Sequence, residues 1–333
     1  MNKFFVVINE GGKGTWSDWI WSDARSIAQV YNQNNILNNN ILKKLRKIHF
    51  SNKLNNKIVV PFKAIWDRWN CIDCSKLDKS DRNYIIFQSN IKFSKRYLKK
   101  LKKKKNACIV LYLPDTIEKL GIAKNKKEFK RYCDYYQIDV VFSFDKADCE
   151  KYELEFFDLY SSELVRKNKK NYKKRYDLFY IGQCRNETRL KLIKAIYKRL
   201  RENLNLNFFL FGVEKEKQKY SENIKYNQYL KYNNIVDIDC ESQCILELMN
   251  EKQSGNTLRF KEAICFNIKL LTNNKNVLNS KFYNPKYIQY FDKVENINIK
   301  WIREDVKVDY GYDAEFSPKK LFEKIIILDK NLK

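Results

Sequence analysis

The sequence predicts an α/β protein with two doubly wound domains. Short apolar runs rich in Val, Ile, Phe and Tyr alternate along the chain with longer segments of helical period. This alternation is typical of parallel sheets covered by helices on both faces. The chain has 333 residues, of which 44% are hydrophobic, enough to fill about two cores. Its 8 Gly and 4 Pro are too few for an all-β sandwich with many tight turns.

The apolar runs and helical periods assign the individual elements. The predicted strands are Lys3–Ile8, Lys57–Val60, Tyr84–Gln88, Cys108–Leu113, Val140–Phe144, Asp177–Ile181, Asn207–Phe211, Ile235–Ile238, Ile268–Leu271 and Tyr287–Phe291. The predicted helices are Ser17–Tyr31, Ile91–Lys103, Lys126–Tyr136, Thr188–Glu202, Leu258–Phe266 and Pro318–Leu328. In doubly wound folds, ligands bind beyond the carboxyl ends of the strands.

A run of charged and amide residues separates the two predicted domains. "VRKNKKNYKKRY", from Val165 to Tyr176, has no apolar period and is typical of a linker. The predicted organisation is a first domain at 1–163, a basic linker at 164–175, a second domain at 176–315 and a C-terminal helix at 316–333.

The chain carries a formal net charge of +26. Nucleic acid and an anionic membrane surface both suit that sign, and so does codon bias toward Lys and Asn. The densest cluster comprises Lys99, Lys100, Lys102, Lys103, Lys104 and Lys105. It is either the solvated end of a helix or a membrane-surface patch. No run reaches the roughly 18 apolar residues of a membrane span, and the scattered cysteines fit a reducing cytoplasm.

Two loops of the second domain have the composition of an anion site. In "YIGQCRNETRL", Gly182 ends a strand, Asn186 is a candidate N-cap, and Arg185 and Arg189 flank the helix start. Free N–H groups and guanidinium groups at such a position suit a phosphate. The alternative is a solvated first helical turn.

The second loop is "SGNTLRFKE", in which Thr257 is a candidate N-cap for a helix that begins at Leu258. Arg259 and Glu262 are three residues apart and share one helix face. A carboxylate there can accept hydrogen bonds from the two hydroxyls of a ribose, and the arginine can bind a diphosphate. The alternative is a surface ion pair of small energetic value.

These segments carry a family resemblance. "YDLFYIGQCRNETRLKLI", "YLKYNNIVDI" and "QSGNTLRFKEAICFNIKLLTNNKNVLNSKFYNP" resemble the C-terminal domain of bacterial GT-B-class glycosyltransferases of capsule, exopolysaccharide, O-antigen and lipopolysaccharide synthesis. "YLKKLKKKKNACIVLYLPD" and "VVFSFDKADCEKYEL" resemble the N-terminal domain of that family. The resemblance covers roughly residues 83–291. A leucine commonly follows the glycine of the family motif, whereas this chain has Asn256.

The resemblance implies two Rossmann-type domains facing a cleft, with a nucleotide-sugar in the second domain, a UDP-sugar being favoured. Glu262 would contact the ribose, and Gly255, Asn256, Thr257 and Arg259 would lie near the diphosphate. Gly182, Arg185 and Arg189 would line the same site. Hexosyl transfer would need neither cofactor nor metal. The acceptor would be a lipid-linked oligosaccharide on the anionic inner membrane surface, where the cytoplasmic protein binds peripherally, and nucleic acid would not be a partner.

An inverting transferase also needs a base that deprotonates the acceptor hydroxyl. Asp115, after "IVLYLP", and Glu10, after "FFVVIN", follow predicted strands of the first domain. Both are candidates because a strand end of that domain would meet the acceptor.

Two other functions fit parts of the sequence. A basic nucleic-acid-binding protein would use the positive charge and the 22 Tyr for phosphate contacts and base stacking. A transferase of another group, such as pyruvyl, onto a glycan would keep the fold and change the chemistry. The glycosyltransferase hypothesis predicts that Glu262→Ala and Arg259→Ala weaken UDP binding at little cost in stability.

Overall fold

The computed structural model describes residues 1–9, 14–162, 172–249 and 255–331. The chain divides into two compact units. The first unit comprises Met1–Leu164 together with Phe316–Lys333, and the second comprises Val165–Glu315. Most of the predicted basic linker lies outside the described residues.

The first unit is built on a parallel sheet. Its strands are β1 (Asn2–Ile8), β2 (Gln29–Asn32), β3 (Arg82–Gln88), β4 (Ala107–Leu113), β5 (Val140–Ser143) and β6 (Glu155–Phe156), in the spatial order β2-β1-β3-β4-β5-β6. The two central strands, β3 and β4, are buried along almost their whole length. Burial on both faces explains why they are continuous apolar runs in the sequence.

Helices cover this sheet and the C-terminal helix joins them. They are α1 (Trp16–Trp19), α2 (Asn40–His49), α3 (Asn52–Asn55), α4 (Lys95–Lys105), α5 (Lys126–Tyr136), α6 (Lys146–Tyr152) and, from the chain end, Pro318–Asn331. In that last helix Phe322 stacks on Phe4 of β1 with 4.2 Å between ring centroids. Arg82 of β3 donates from Nε to Asp329 Oδ2 at 2.8 Å. The C-terminal helix is therefore part of the first unit.

The second unit repeats the architecture. Its strands are β7 (Tyr176–Gln183), β8 (Leu206–Phe211), β9 (Lys225–Tyr226), β10 (Ser242–Glu247), β11 (Lys269–Thr272) and β12 (Ile288–Tyr290), in the order β12-β11-β10-β7-β8-β9. Its helices are α7 (Glu187–Leu200), α8 (Tyr232–Cys240), α9 (Leu258–Phe266) and α10 (Ile299–Arg303), so the C-terminal helix is α11. The strand order reverses between β7 and β10, and such a switch point opens a crevice at the carboxyl ends.

The structure confirms the predicted fold class, because both sheets are parallel and carry flanking helices. Three predicted elements are wrong. Ile235–Ile238 lies inside α8, where Tyr232, Val236 and Cys240 are buried at a spacing of four residues. Lys57–Val60 is not a strand, because Asn and Pro bound the run and Ile58 and Val59 are exposed. The predicted helix Ser17–Tyr31 is broken into α1, a 3-10 segment and β2.

The contact between Arg82 and Asp329 makes a testable contribution to stability. We expect Asp329→Ala to lower the free energy of unfolding by about 3 kcal/mol, since removing one member of a buried pair leaves the other charge unpaired. Chemical denaturation measures this change. Lys330→Ala, an exposed neighbour on the same helix, is the matched control and should stay near wild type. Equal stability of both variants would show that the pair does not hold the helix.

Candidate functional site

The loop after β7 is tied to the loop after β10 by Arg189. Its Nη2 donates to the carbonyl of Leu248 at 2.5 Å and its Nη1 to the carbonyl of Gln183 at 3.3 Å. Asn186 accepts from the Thr188 N–H at 2.8 Å and caps α7, as the sequence predicts. Arg189 thus lies at the switch point between β7 and β10 and uses only part of its hydrogen-bonding capacity there.

Close packing explains the glycines of this edge. A Cβ on Gly182 would lie 2.6 Å from the Tyr180 hydroxyl. Gly212, which follows β8, has a φ of +73°, and a Cβ there would lie 2.6 Å from Arg185 Cγ. The exposed Arg185 side chain therefore crosses the loop after β8 and leaves its guanidinium accessible at the same edge.

The N-terminus of α9 is fixed to the end of β10. Thr257 caps the helix by accepting from the Phe260 N–H at 3.3 Å, as predicted. Its hydroxyl also donates to Glu247 Oε1 at 2.5 Å, and the Thr272 hydroxyl donates to Oε2 at 2.6 Å. Glu247 is fully buried, and burial raises the pKa of its carboxyl while the two hydroxyls oppose that shift. These contacts join β10, β11 and α9 at one point.

Arg259 lies between two buried carboxyl groups. Its Nη1 donates to Asp239 Oδ1 at 2.9 Å, and its Nη2 donates to Glu262 Oε1. The Tyr232 hydroxyl donates to the same Glu262 oxygen. Asp239 and Tyr232 belong to α8, whereas Arg259 and Glu262 belong to α9. The network therefore connects these two helices.

The charge balance of this network is unequal. Burial raises the pKa of Asp239 well above its ordinary value and also raises that of Glu262, while Arg259 lowers both. Within the described part of the chain, Asp239 Oδ2 and Glu262 Oε2 have no hydrogen-bond partner. Arg259 therefore contacts two desolvated carboxyls and favours the ionised form of both, with weaker contributions from Lys174 at Asp239 and Lys261 at Glu262.

This burial corrects one expectation. Arg259 is 8% exposed and Glu262 is 0% exposed, so the prediction that replacing them costs little stability is wrong. Their spacing puts them on one face, as predicted, but that face packs on α8. Their contact with a nucleotide-sugar stays a prediction, as do the contacts of Gly255, Asn256 and Thr257.

The structure describes one of the two carboxylates predicted as general bases in the first unit. Asp115 follows β4, where its Oδ1 accepts from the Thr116 N–H at 3.0 Å and its Oδ2 pairs with Lys119. Glu10 lies outside the described residues. Among the residues that the structure describes, no three His, Cys, Asp or Glu side chains form a group that could hold a metal ion.

Three members of the site were not predicted from the sequence: Tyr232, Asp239 and Glu247. Asp239 directly follows Ile235–Ile238, which was predicted to be a strand. Glu247 closes the apolar run "CILE", but the polar residues that begin β10 hid that strand. A carboxylate that closes a short apolar run is the sequence signal that would have found Glu247.

Some lysines of the α4 cluster make contacts within the protein, and the others are exposed to solvent. Lys102 pairs with Asp139, and Lys105 Nζ donates to the carbonyl of Leu77 at 2.6 Å. The exposed members are Lys99, Lys100, Lys103 and Lys104. In the described ranges, no helix is both long enough and apolar enough to cross a membrane.

Comparison with known proteins gives structural matches. No protein-family model and no curated protein sequence matches the chain. An alpha-glucosyltransferase bound to UDP-glucose and to DNA with an abasic site aligns over 98% of this chain and 99% of its own, with 14% identity and a TM-score of 0.54. An alpha-glucosyltransferase with UDP and a 13-mer DNA containing an HMU base covers the same shares at 12% identity and 0.54. Alr3699/HepE of Anabaena with UDP-glucose aligns over 99% of both chains at 11% identity and 0.51.

The fold is GT-B. At these identities the likeness establishes architecture and not the identity of the ligand or acceptor. Two of the matching structures contain DNA together with UDP or UDP-glucose. They contradict the prediction that excluded nucleic acid and named a lipid-linked oligosaccharide as the acceptor.

The Arg259 network predicts a stability that depends on pH. We expect Arg259→Met to lower the free energy of unfolding by about 3–5 kcal/mol near neutral pH, because it strands two buried carboxylates. Without the cation, Asp239 and Glu262 bind protons more readily when folded than when unfolded, so stability falls as pH rises. The deficit should therefore shrink at about pH 5 relative to about pH 8.

Denaturant titration at both pH values measures this effect. Arg175→Met is the matched control, because Arg175 forms an exposed 3.3 Å pair with Glu241 and should cost less than about 1 kcal/mol. A deficit of the same size at both pH values would contradict the proposed charge balance.

Proposed function

We propose that this protein is a glycosyltransferase that transfers a hexose from a UDP-sugar to a DNA base bearing a hydroxyl group. The convergence of Arg189 and the α9 N-terminus at the switch point between β7 and β10 carries the donor part of this proposal. The DNA part is supported by the positive charge of the chain and by the DNA complexes of enzymes with the same fold.

The donor diphosphate would bind at the carboxyl edge of the second sheet. The N-terminus of α9 presents the positive end of the helix dipole there. Arg189 has N–H groups left after its contacts with Gln183 and Leu248, and the exposed Arg185 adds a second guanidinium. Guanidinium groups form charge-assisted hydrogen bonds with phosphate oxygens. This arrangement stabilises a leaving diphosphate with positive charge supplied by the chain.

Arg259 and Glu262 have a structural role in the proposed donor site. Glu262 has no exposed surface, so its predicted contact with a ribose requires the surrounding side chains to move. The same two residues already bind Asp239 and Tyr232. We therefore assign them first to holding α9 in position, with direct donor contact as a second role that the UDP complex would reveal.

The acceptor follows from the chemistry of the bond. An O-glycosidic bond needs an oxygen nucleophile, and an ordinary DNA base has no alcohol group, so a base that accepts the sugar through oxygen must carry one. The hydroxyl oxygen attacks the anomeric carbon, the bond from that carbon to the diphosphate oxygen breaks, and UDP leaves with the electron pair. The hydroxyl proton passes to a carboxylate, for which Asp115 is the candidate among the described residues. Surface-polysaccharide synthesis stays a prediction that no contact in the structure favours.

Sugar transfer to DNA is directly measurable. We expect incubation with UDP-glucose and a duplex containing 5-hydroxymethyluracil to add one hexose to the modified strand, detected by mass spectrometry. The same duplex with thymine at that position is the matched control and should gain nothing. An unchanged strand with every UDP-, GDP- and dTDP-hexose would remove DNA as the acceptor.

UDP binding tests the donor site independently of the acceptor. We expect Arg189→Met to weaken UDP binding about tenfold or more, because a hydrogen bond to a charged group contributes about 1.5–3 kcal/mol. Lys191→Met is the control, since Lys191 is an exposed cation on the same helix paired with Glu187 at 3.2 Å. Isothermal titration calorimetry measures both variants. Equal affinities in the two would contradict the placement of the diphosphate.

A further inference from the structure

The first unit contains a cavity outside the residues discussed above. Its volume is about 260 Å³, and the residues that line it include Asn56, Lys57, Lys63, Arg131, Tyr135 and Tyr136. The cavity lies where α5 approaches the segment between α3 and β3. A space of this size suits one phosphate group with its immediate substituents rather than a whole drug-sized ligand.

Lys63 gives the cavity its chemical character. The residue is 5% exposed. Its Nζ lies 5.8, 5.0 and 6.0 Å from the ring centroids of Phe50, Tyr135 and Tyr136. Among the described residues, no carboxylate lies within ion-pair distance of it. Burial lowers the pKa of Lys63 to about 8, as expected of a largely desolvated ammonium group without a carboxylate partner.

The surroundings of Lys63 favour an anionic ligand. Lys57 and Arg131 line the same cavity, and Lys95 Nζ lies 5.5 Å from the Tyr135 ring. Glu128 also lines the cavity, and its Oε2 accepts from the Lys124 N–H at 2.8 Å, so the lining that the structure describes has three cations and one carboxylate. A buried charge costs free energy unless it is paired, so a bound anion would remove the cost that Lys63 now carries.

Phe62, the residue before Lys63, combines an unfavourable backbone conformation with an exposed side chain. Phe62 has a φ of +58° and is 79% exposed. A left-handed backbone is unfavourable for a bulky L-residue, and an exposed ring gains nothing from burial. The surrounding structure must offset the free energy that this backbone conformation costs. Phe62 therefore exposes an aromatic ring on the segment between Val59 and Lys63, two residues that line the cavity.

We propose that the Lys63 cavity binds a backbone phosphate of the nucleic-acid acceptor and that Phe62 inserts between the neighbouring bases. This inference rests on the proposed function, because it assumes that DNA is the acceptor. An enzyme that modifies a base inside a duplex must first unstack it, and apolar side chains inserted between base steps do so. The phosphate would fix the position of the strand while the ring separates the bases.

A polynucleotide matches this arrangement better than a lipid surface does. Phosphates and flat bases alternate along a nucleic-acid strand, and the protein offers one recessed cation next to one protruding ring. Aromatic side chains stack on bases of any sequence. A membrane surface would place many headgroups against the protein, and a cavity for a single phosphate would add little to such binding.

The experiment uses a short duplex with 2-aminopurine beside the modified base. We expect Lys63→Met to weaken duplex binding about tenfold, because one charge-assisted hydrogen bond to phosphate is lost. Phe62→Asn should keep the affinity within a few-fold but abolish the rise in 2-aminopurine fluorescence that reports unstacking. Lys130→Met removes an exposed charge from the same helix α5 and should match wild type in both measurements.

Stability and UDP affinity separate the possible causes of failure. Lys63→Met removes a desolvated charge and Phe62→Asn places a residue that tolerates the left-handed region, so neither should lower the melting temperature. UDP affinity should stay at the wild-type value in both variants. Failure of the wild-type protein to bind UDP would contradict the proposed function. The duplex measurement would still test the role of Lys63.

Three results would overturn the inference. The first is equal duplex affinity of Lys63→Met and Lys130→Met, or no duplex binding by the wild type. The second is an undiminished fluorescence rise in Phe62→Asn. The third is a loss, in Lys63→Met alone, of binding to phosphatidylglycerol vesicles with duplex binding intact, which would assign the cavity to a lipid headgroup.

Discussion

The ion pair between Arg259 and two buried carboxyl groups is the constraint on which the candidate site depends. It connects α8 to α9 through Asp239 and Glu262 in a place that water does not reach. A buried guanidinium has few alternative partners, so this contact restricts how the two helices can pack. Thr257 then fixes the first turn of α9 to the end of β10 through Glu247. The Arg259 network and the contact of Thr257 with Glu247 together therefore fix the position of the α9 N-terminus.

The same edge collects positive charge from several independent sources. Parallel strands place their carboxyl ends together, and the helices that follow them begin there. The first turns of α7 and α9 therefore lie at one edge, and Arg189 joins the loops between them. Helix dipoles and guanidinium groups add in such a place because both stabilise an anion. This electrostatic arrangement is what the departure of a nucleoside diphosphate needs.

The sequence predicted the fold well where local patterns decide the structure. β3, β4, β7 and β8 are apolar runs because they are covered on both faces. The N-caps Asn186 and Thr257 were predictable because their side chains bond only two or three residues ahead. Local chemistry and the final structure agree at these positions.

The failures at the candidate site have a common physical cause, because each depends on residues that are distant in sequence. The i,i+3 spacing of Arg259 and Glu262 shows that they share a face, but not that the face packs on α8. Asp239 is 20 residues before Arg259, and nothing local marks it as the partner. β10 begins with polar residues that become buried only when the sheet forms. Lys63 likewise is one lysine among many until Tyr135 and Tyr136 enclose it.

A crystal structure of the protein with UDP tests the central claim most directly. The account predicts diphosphate density within hydrogen-bond distance of Arg189 and of the N–H groups at the start of α9, with the uracil and ribose in the crevice between β7 and β10. Density for UDP at any other place, with the edge between β7 and β10 empty, would contradict it.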